Sequence, residues 1–145
     1  MKQLKISLLI IPLLLLASVS ALTISCQDVV YDGSTSSVTV PLYIDADAEV
    51  AGFQFDLSFS ETIIDYQTFT KVPAKLDVDP SITDRGSSIF ALAWTFPPRD
   101  VILGNGNIAN IQFTPVSVGT SYIGFSNEDV SDLDGQIPAT FIDCN

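Results

Sequence analysis

Residues 50–61 of the chain read VAGFQFDLSFSE, and no other segment limits the fold so tightly. Phe53, Phe55, Leu57 and Phe59 recur at every second position, with Gly52, Gln54, Asp56 and Ser58 between them. A period of two sends successive side chains to opposite faces of an extended strand, whereas a helix needs an apolar period near 3.6. One face of this strand is therefore built for a core. The other is small, polar and flat, as a strand is when its solvent side stays open to a partner.

The rest of the chain after its N-terminal segment follows the same logic. Short alternating or β-branched runs are separated by turn residues, and no helical apolar period appears, so the spacing predicts an all-β sandwich. Strands are predicted at 23–30, 37–44, 51–59, 63–69, 87–95, 106–115, 120–125 and 139–143, with a further short one at 75–78. Asp32-Gly33-Ser34 reads as the turn joining the first two. Val38, Val40, Leu42 and Ile44 form the core face of the second strand, and Pro41 within it implies an edge or a bulge. In the strand at 87–95, Phe90, Leu92, Trp94 and Phe96 share one parity, and Ile89, Ala91, Ala93 and Thr95 the other. Size assigns the large row to the core. The small apolar row then either lies under a loop or forms part of a binding surface.

The N-terminus reads as a secretory signal peptide over residues 1–21: Lys2 and Lys5 precede an uncharged apolar run from Ile6 to Ala17, and small residues follow. Val19 and Ala21 suit cleavage before Leu22, which leaves a single domain over 22–145. Retention as an anchor is the alternative, since the charge-free stretch approaches the ~20 residues that span a bilayer. A lipoprotein reading of Cys26 is weaker, because Thr23-Ile24-Ser25 precedes it. The formal charge is −11 for the whole chain, and the predicted mature part keeps only Lys71, Lys75, Arg85 and Arg99 against all 17 acidic residues. Such acidity disfavours nucleic acid and anionic membrane surfaces and favours a cationic or calcium-bearing partner. Two cysteines in an exported chain imply a disulfide, here Cys26 to Cys144, between the terminal strands.

Chemistry finds little support. Histidine is absent, which removes the commonest general base and the usual metal ligand. The carboxylate pairs Asp45/Asp47, Asp77/Asp79 and Asp132/Asp134 sit in polar, turn-like segments without apolar neighbours to raise a pKa. Asp132, Asp134 and Gly135 match three places of a calcium loop, but Val130 and Phe141 occupy its first and last ligand positions, so a turn is the better reading. Gly104-Asn105-Gly106-Asn107 is a β-turn rather than a phosphate loop, having no lysine and no helix after it. The sequence thus predicts a protein that is not an enzyme and needs no cofactor or metal of its own. Tyr31, Tyr43 and Tyr66 are the aromatic side chains expected at the surface, and they do not share a strand.

The order of these patterns resembles the cohesin domain, the receptor module that captures dockerins in cellulosomes and in simpler secreted proteins. DGSTSSVTVPLYI, VAGFQFDLSFSETIIDYQTF, SSIFALAW, GNGNIANIQFTPV, GTSYIGFSNEDVSDLDG and TFIDC carry the likeness over nearly all of the predicted mature chain. It implies a nine-stranded jelly-roll sandwich that binds a calcium-loaded dockerin on one flat sheet, with the calcium on the partner. By position it gives contact roles to Gly52, Gln54 and Asp56, to Ile89, Ala91 and Ala93, and to Asp132 and Leu133. Cellulosomal cohesins often carry an Asn and an Asp where this chain has Gly52 and Gln54, which leaves the dockerin class open. The family's structural kinship with cellulose-binding modules makes carbohydrate binding the alternative, with polysaccharide as ligand. Either way the resemblance implies an extracellular protein without a membrane contact after cleavage.

Overall fold

The structure is a computed structural model that describes residues 22–31, 35–46, 49–96, 101–102, 104–132 and 134–145. The signal peptide expected at 1–21, the Asp32-Gly33-Ser34 turn, Asp47, Arg99 and Leu133 lie outside the described residues. Nine strands are found among the described residues: β1 (Leu22–Cys26), β2 (Val38–Ala46), β3 (Gly52–Ser58), β4 (Ile64–Lys71), β5 (Ser81–Asp84), β6 (Ser88–Trp94), β7 (Gly106–Pro115), β8 (Gly124–Ser131) and β9 (Ala139–Ile142). They form two sheets, β4-β7-β2-β1-β9 and β5-β6-β3-β8. The all-β sandwich read from the spacing is what the chain builds.

The core lies between the sheets, and β3 fills its centre as the alternation predicts. Phe53, Phe55, Leu57 and Phe59 are buried. Phe55 stacks on Phe53 at 5.7 Å between ring centroids and meets Phe125 of β8 edge-on at 5.2 Å. Phe59 meets Phe113 of the opposite sheet at 5.1 Å. Offset and edge-on arrangements of this kind suit the ring quadrupole and add to the gain from burial. Phe125 and Phe141 touch across the side of the sandwich where β8 and β9 form the two sheet edges.

The second strand also behaves as read: Val40, Leu42 and Ile44 are buried while Thr39 and Tyr43 face out. Pro41 sits in a central strand, not an edge. The sheet tolerates it because β1 ends at Cys26 opposite Leu42, and the β2–β7 register shifts between Leu42 and Tyr43. A proline beside a bulge and past the end of its neighbour removes no ladder bond. Two other expectations change. The segment at 120–122 is not a strand, and β8 instead runs from Gly124 through the acidic Asn127-Glu128-Asp129 stretch, where no strand is predicted. The short strand expected at 75–78 shrinks to one bridge, Leu76 to Ile102, and β5 follows it at Ser81–Asp84.

The first and last strands meet. β1 and β9 pair in parallel, from Leu22 opposite Ala139 to Ser25 opposite Ile142. Just beyond, Cys26 and Cys144 form the disulfide expected from the sequence, with 5.5 Å between their Cα atoms. Cys144 lies past β9, in a bridge to Ile123, rather than inside the last strand. A crosslink between residues 118 apart in sequence removes much freedom from the unfolded chain, roughly 4 to 5 kcal/mol in the entropic treatment. Chemical denaturation with and without reductant is expected to show a loss of that order on reduction. An unchanged midpoint after verified reduction would show that the bridge contributes nothing.

Candidate functional site

The two sheets differ in what they show to solvent, and the difference is set at β3. Its outward row is Gly52, Gln54, Asp56 and Ser58, flanked on one side by β6 and on the other by β8. On β6 the size rule fails. Ile89, Ala91 and Ala93 are the buried residues, at 0–2% exposure, while Phe90 and Leu92 lie on the outer face and Trp94 is 56% exposed. The register explains the reversal: Phe55 faces Ala91, and Phe53 faces Ala93, on the core side of the sheet. The phenyl rings of β3 occupy the interior that a second large row would need. A close-packed core sets large against small across neighbouring strands.

This corrects the expectation for Ile89, Ala91 and Ala93, which are core residues and offer no side chain to a partner. It also corrects the burial expected of Phe90, Leu92, Trp94 and Phe96. Trp94 and Phe96 touch edge-on at 4.8 Å, and Phe96 is 72% exposed. Of the other residues singled out, Gly52, Gln54 and Asp56 do lie on the outer face. Asp132 lies at the turn after β8, where its Oδ1 accepts hydrogen bonds from the amides of Asp134 and Gly135 at 2.8 and 2.9 Å. That is the turn chemistry read from the sequence.

Asp56 is nearly buried and fully engaged. Arg85 donates to its Oδ1 through Nη1 at 2.7 Å, and Asn127 donates to its Oδ2 through Nδ2. The Arg85 guanidinium lies 4.9 Å from the centroid of Phe90, so a cation rests on the ring beside the carboxylate. Local structure places both donors. Asp84-Arg85-Gly86 is the turn between β5 and β6, held by the Gly86 amide on the Asp84 carboxylate at 2.8 Å and by a left-handed Gly86 at φ 82°. Asn127 sits at a bulge where the β3–β8 register shifts between Gln54 and Asp56, and its φ of 50° is one that asparagine tolerates. Neither donor stands out in the sequence, although Asp-Arg-Gly-Ser is a turn signal that could reveal β5 and its hairpin.

Around this network the outer face is a band of apolar and polar groups: Phe90, Leu92 and Trp94 on β6, Ser81 and Thr83 on β5, and Asp129 and Ser131 on β8. A shallow hollow of about 90 Å³ lies over Gly52, between Leu92 and Trp94 on one side and Asp129 and Ser131 on the other. A larger cleft of about 350 Å³ opens at the side of the sandwich between β8 and β9, where Glu128 faces Ile137 and Phe141. Burial there, with Asp143 nearby, pushes the Glu128 carboxyl above its ordinary range. Of the other turn carboxylates, Asp79 makes a surface ion pair with Lys71 at 2.9 Å, and Asp45 accepts from Asn105 at 2.8 Å.

With this geometry in view, the architecture is that of a cohesin: solved cohesin structures superpose on the chain over most of its length and share the jelly-roll sandwich. A cohesin of Clostridium thermocellum solved in complex with the dockerin Doc918 superposes with a TM-score of 0.75 at 13% identity, over 86% of this chain and 96% of that one. CaCohA2 of Clostridium acetobutylicum gives 0.73 at 15%, over 86% and 90%. The non-cellulosomal cohesin of the archaeon Archaeoglobus fulgidus gives 0.68 at 15%, over 86% and 88%. No family model matches the sequence, and neither does any curated protein. The likeness is therefore one of fold, and the chain is a cohesin-like domain.

Two outcomes follow from the orientation of β6. Ala91→Arg is expected to abolish cooperative unfolding, because it forces an unpaired charge against Phe55, while Trp94 emission should be solvent-like and readily quenched by acrylamide. A folded Ala91→Arg variant with a shielded Trp94 would reverse the assignment. Arg85→Ala should cost about 1 to 2 kcal/mol in thermal or chemical unfolding, since it strips a shielded carboxylate of its charged donor while Asn127 remains.

Proposed function

We propose that this protein is an extracellular, non-catalytic binding module that captures a dockerin-type partner on the outer face of the β5-β6-β3-β8 sheet. The observation that carries the reading is the coincidence of a cohesin-like fold with an outward apolar row on that sheet, half-buried Phe90 and Leu92 leading to exposed Trp94. Rows of this kind supply the desolvated centre of a protein interface, with polar groups such as Gln54, Ser81 and Thr83 at its rim. Solved neighbours from Clostridium thermocellum and Clostridium acetobutylicum are cohesins in complex with dockerins, which supports the partner class. The contact role expected of the β6 core residues passes to their outward neighbours. Asp56, with its acceptors taken by Arg85 and Asn127, stiffens the face rather than exchanging bonds with a partner.

An oxidising destination is supported by the disulfide, which suits an exported protein better than a cytosolic one, and by the signal-like N-terminus. Any calcium belongs to the partner in this reading, and polysaccharide degradation is the setting in which such a partner would work. Direct carbohydrate binding has less support: Trp94 and Phe96 meet at 81°, so they make no flat strip for successive sugar rings.

The test is a titration of the purified domain with calcium-loaded dockerin modules from the same organism, with chelator as control. Leu92→Arg is expected to abolish capture while leaving unfolding within about 0.5 kcal/mol of the parent, as surface changes do. Calcium-dependent capture undiminished by Leu92→Arg would remove this face as the docking surface. Retention on insoluble polysaccharide without any dockerin binding would favour the carbohydrate reading instead.

A further inference from the structure

The outer face carries an acceptor that the fold does not satisfy. Asp129 stands on β8 opposite Gln54, and its Oδ1 is screened from solvent with no hydrogen-bond partner among the described residues. A shielded carboxylate oxygen without a donor is costly, and native structures leave few of them without a purpose. Asp129 also lines the hollow over Gly52, across from Leu92 and Trp94. Gly52 keeps that hollow open: a Cβ there would lie 3.2 Å from Ser131 Oγ, 3.3 Å from the Ala93 carbonyl and 3.4 Å from Trp94 Cβ. Trp94, Leu92 and Asp129 thus line a depression of about 90 Å³, sized for the end of a side chain.

We propose that this hollow seats an arginine or lysine of the protein partner. Its aliphatic stem would lie along Leu92 and Trp94, and its cationic head would pair with the Asp129 carboxylate, which turns its shielded, unpaired Oδ1 toward the hollow to accept. Each part has a physical basis: long basic side chains cover apolar surface with their stems, and charge-assisted bonds to carboxylates are the strong ones. The net charge of −11 draws a basic segment toward the domain from a distance. Asp56 cannot take this role, because Arg85 already neutralises it. The inference rests on the outer face being the docking surface proposed above, and it adds the chemistry of one anchoring residue on the partner.

A small probe separates the two ideas. The ¹⁵N-labelled domain is titrated at low ionic strength with n-butylguanidinium chloride and, separately, with cellobiose, and amide and indole shifts are followed. Saturable shifts concentrated at Gly52, Gln54, Asp129, Ser131 and the Trp94 indole are expected with n-butylguanidinium alone. Asp129→Asn should weaken them about tenfold in midpoint, and Asp65→Asn, on the other sheet, should leave them unchanged. The spectra of both variants report whether they are folded. Shifts scattered over the acidic surface without saturation, equal binding by Asp129→Asn, or saturable shifts with cellobiose alone would each overturn the seat. Because the probe contains no dockerin, dockerin capture with a negative titration removes only the seat. A positive titration without dockerin capture supports the seat and removes the partner class.

Discussion

The contact between β3 and β6 governs this domain. Phe53 and Phe55 are large and inward, so the strand beside them must be small and inward, and Ala91 and Ala93 meet that demand. Once the alanines turn in, Phe90, Leu92 and Trp94 have nowhere to go but out. A packing requirement of the core thus creates an aromatic and aliphatic band on the surface. Core packing and surface character are coupled in one strand pair, since each β6 side chain that fails the interior is delivered to the exterior.

That coupling also explains how far the sequence can be read. In β3 the alternation is between apolar and polar residues, so its phase is unambiguous, and the core side is legible residue by residue. In β6 both rows are apolar, and periodicity fixes which side chains share a face without fixing which face is buried. Only the neighbouring strand decides, through volumes that no single segment contains. Two flat outward rows suggest a docking sheet from the sequence; the β3 row does face outward, but the outward row of β6 consists of other residues. The same limit applies to β8, whose Ser126, Asn127 and Glu128 look like a loop because an edge strand with a bulge needs few apolar positions. The disulfide is readable because it needs only two cysteines and a compartment. The Arg85–Asp56–Asn127 cluster is not, because it joins a hairpin turn, a strand and a bulge that meet only in the folded sheet.

The cluster has a further part in the face. Arg85 stands at the end of β5, the edge strand of its sheet, and ties the β5–β6 hairpin to the central β3. Resting on Phe90, it also covers part of a ring that would otherwise lie open. The outer face is thereby graded from a fixed, charge-paired end at Asp56 to an open aromatic end at Trp94. Preorganised polar groups beside an exposed apolar anchor are the arrangement that binding favours, because little ordering remains to be done on contact.

The disulfide sets how the domain carries a mechanical load. Cys26 is four residues after Leu22 and Cys144 is one before Asn145, so tension applied between Leu22 and Asn145 passes along β1 and across the sulfur bridge. The residues enclosed by the bridge, including all of the β5-β6-β3-β8 sheet, lie off that path. Pulled between these two residues, the domain behaves as a short inextensible link with the β5-β6-β3-β8 sheet hanging slack from it, and only reduction would bring the sandwich itself under strain.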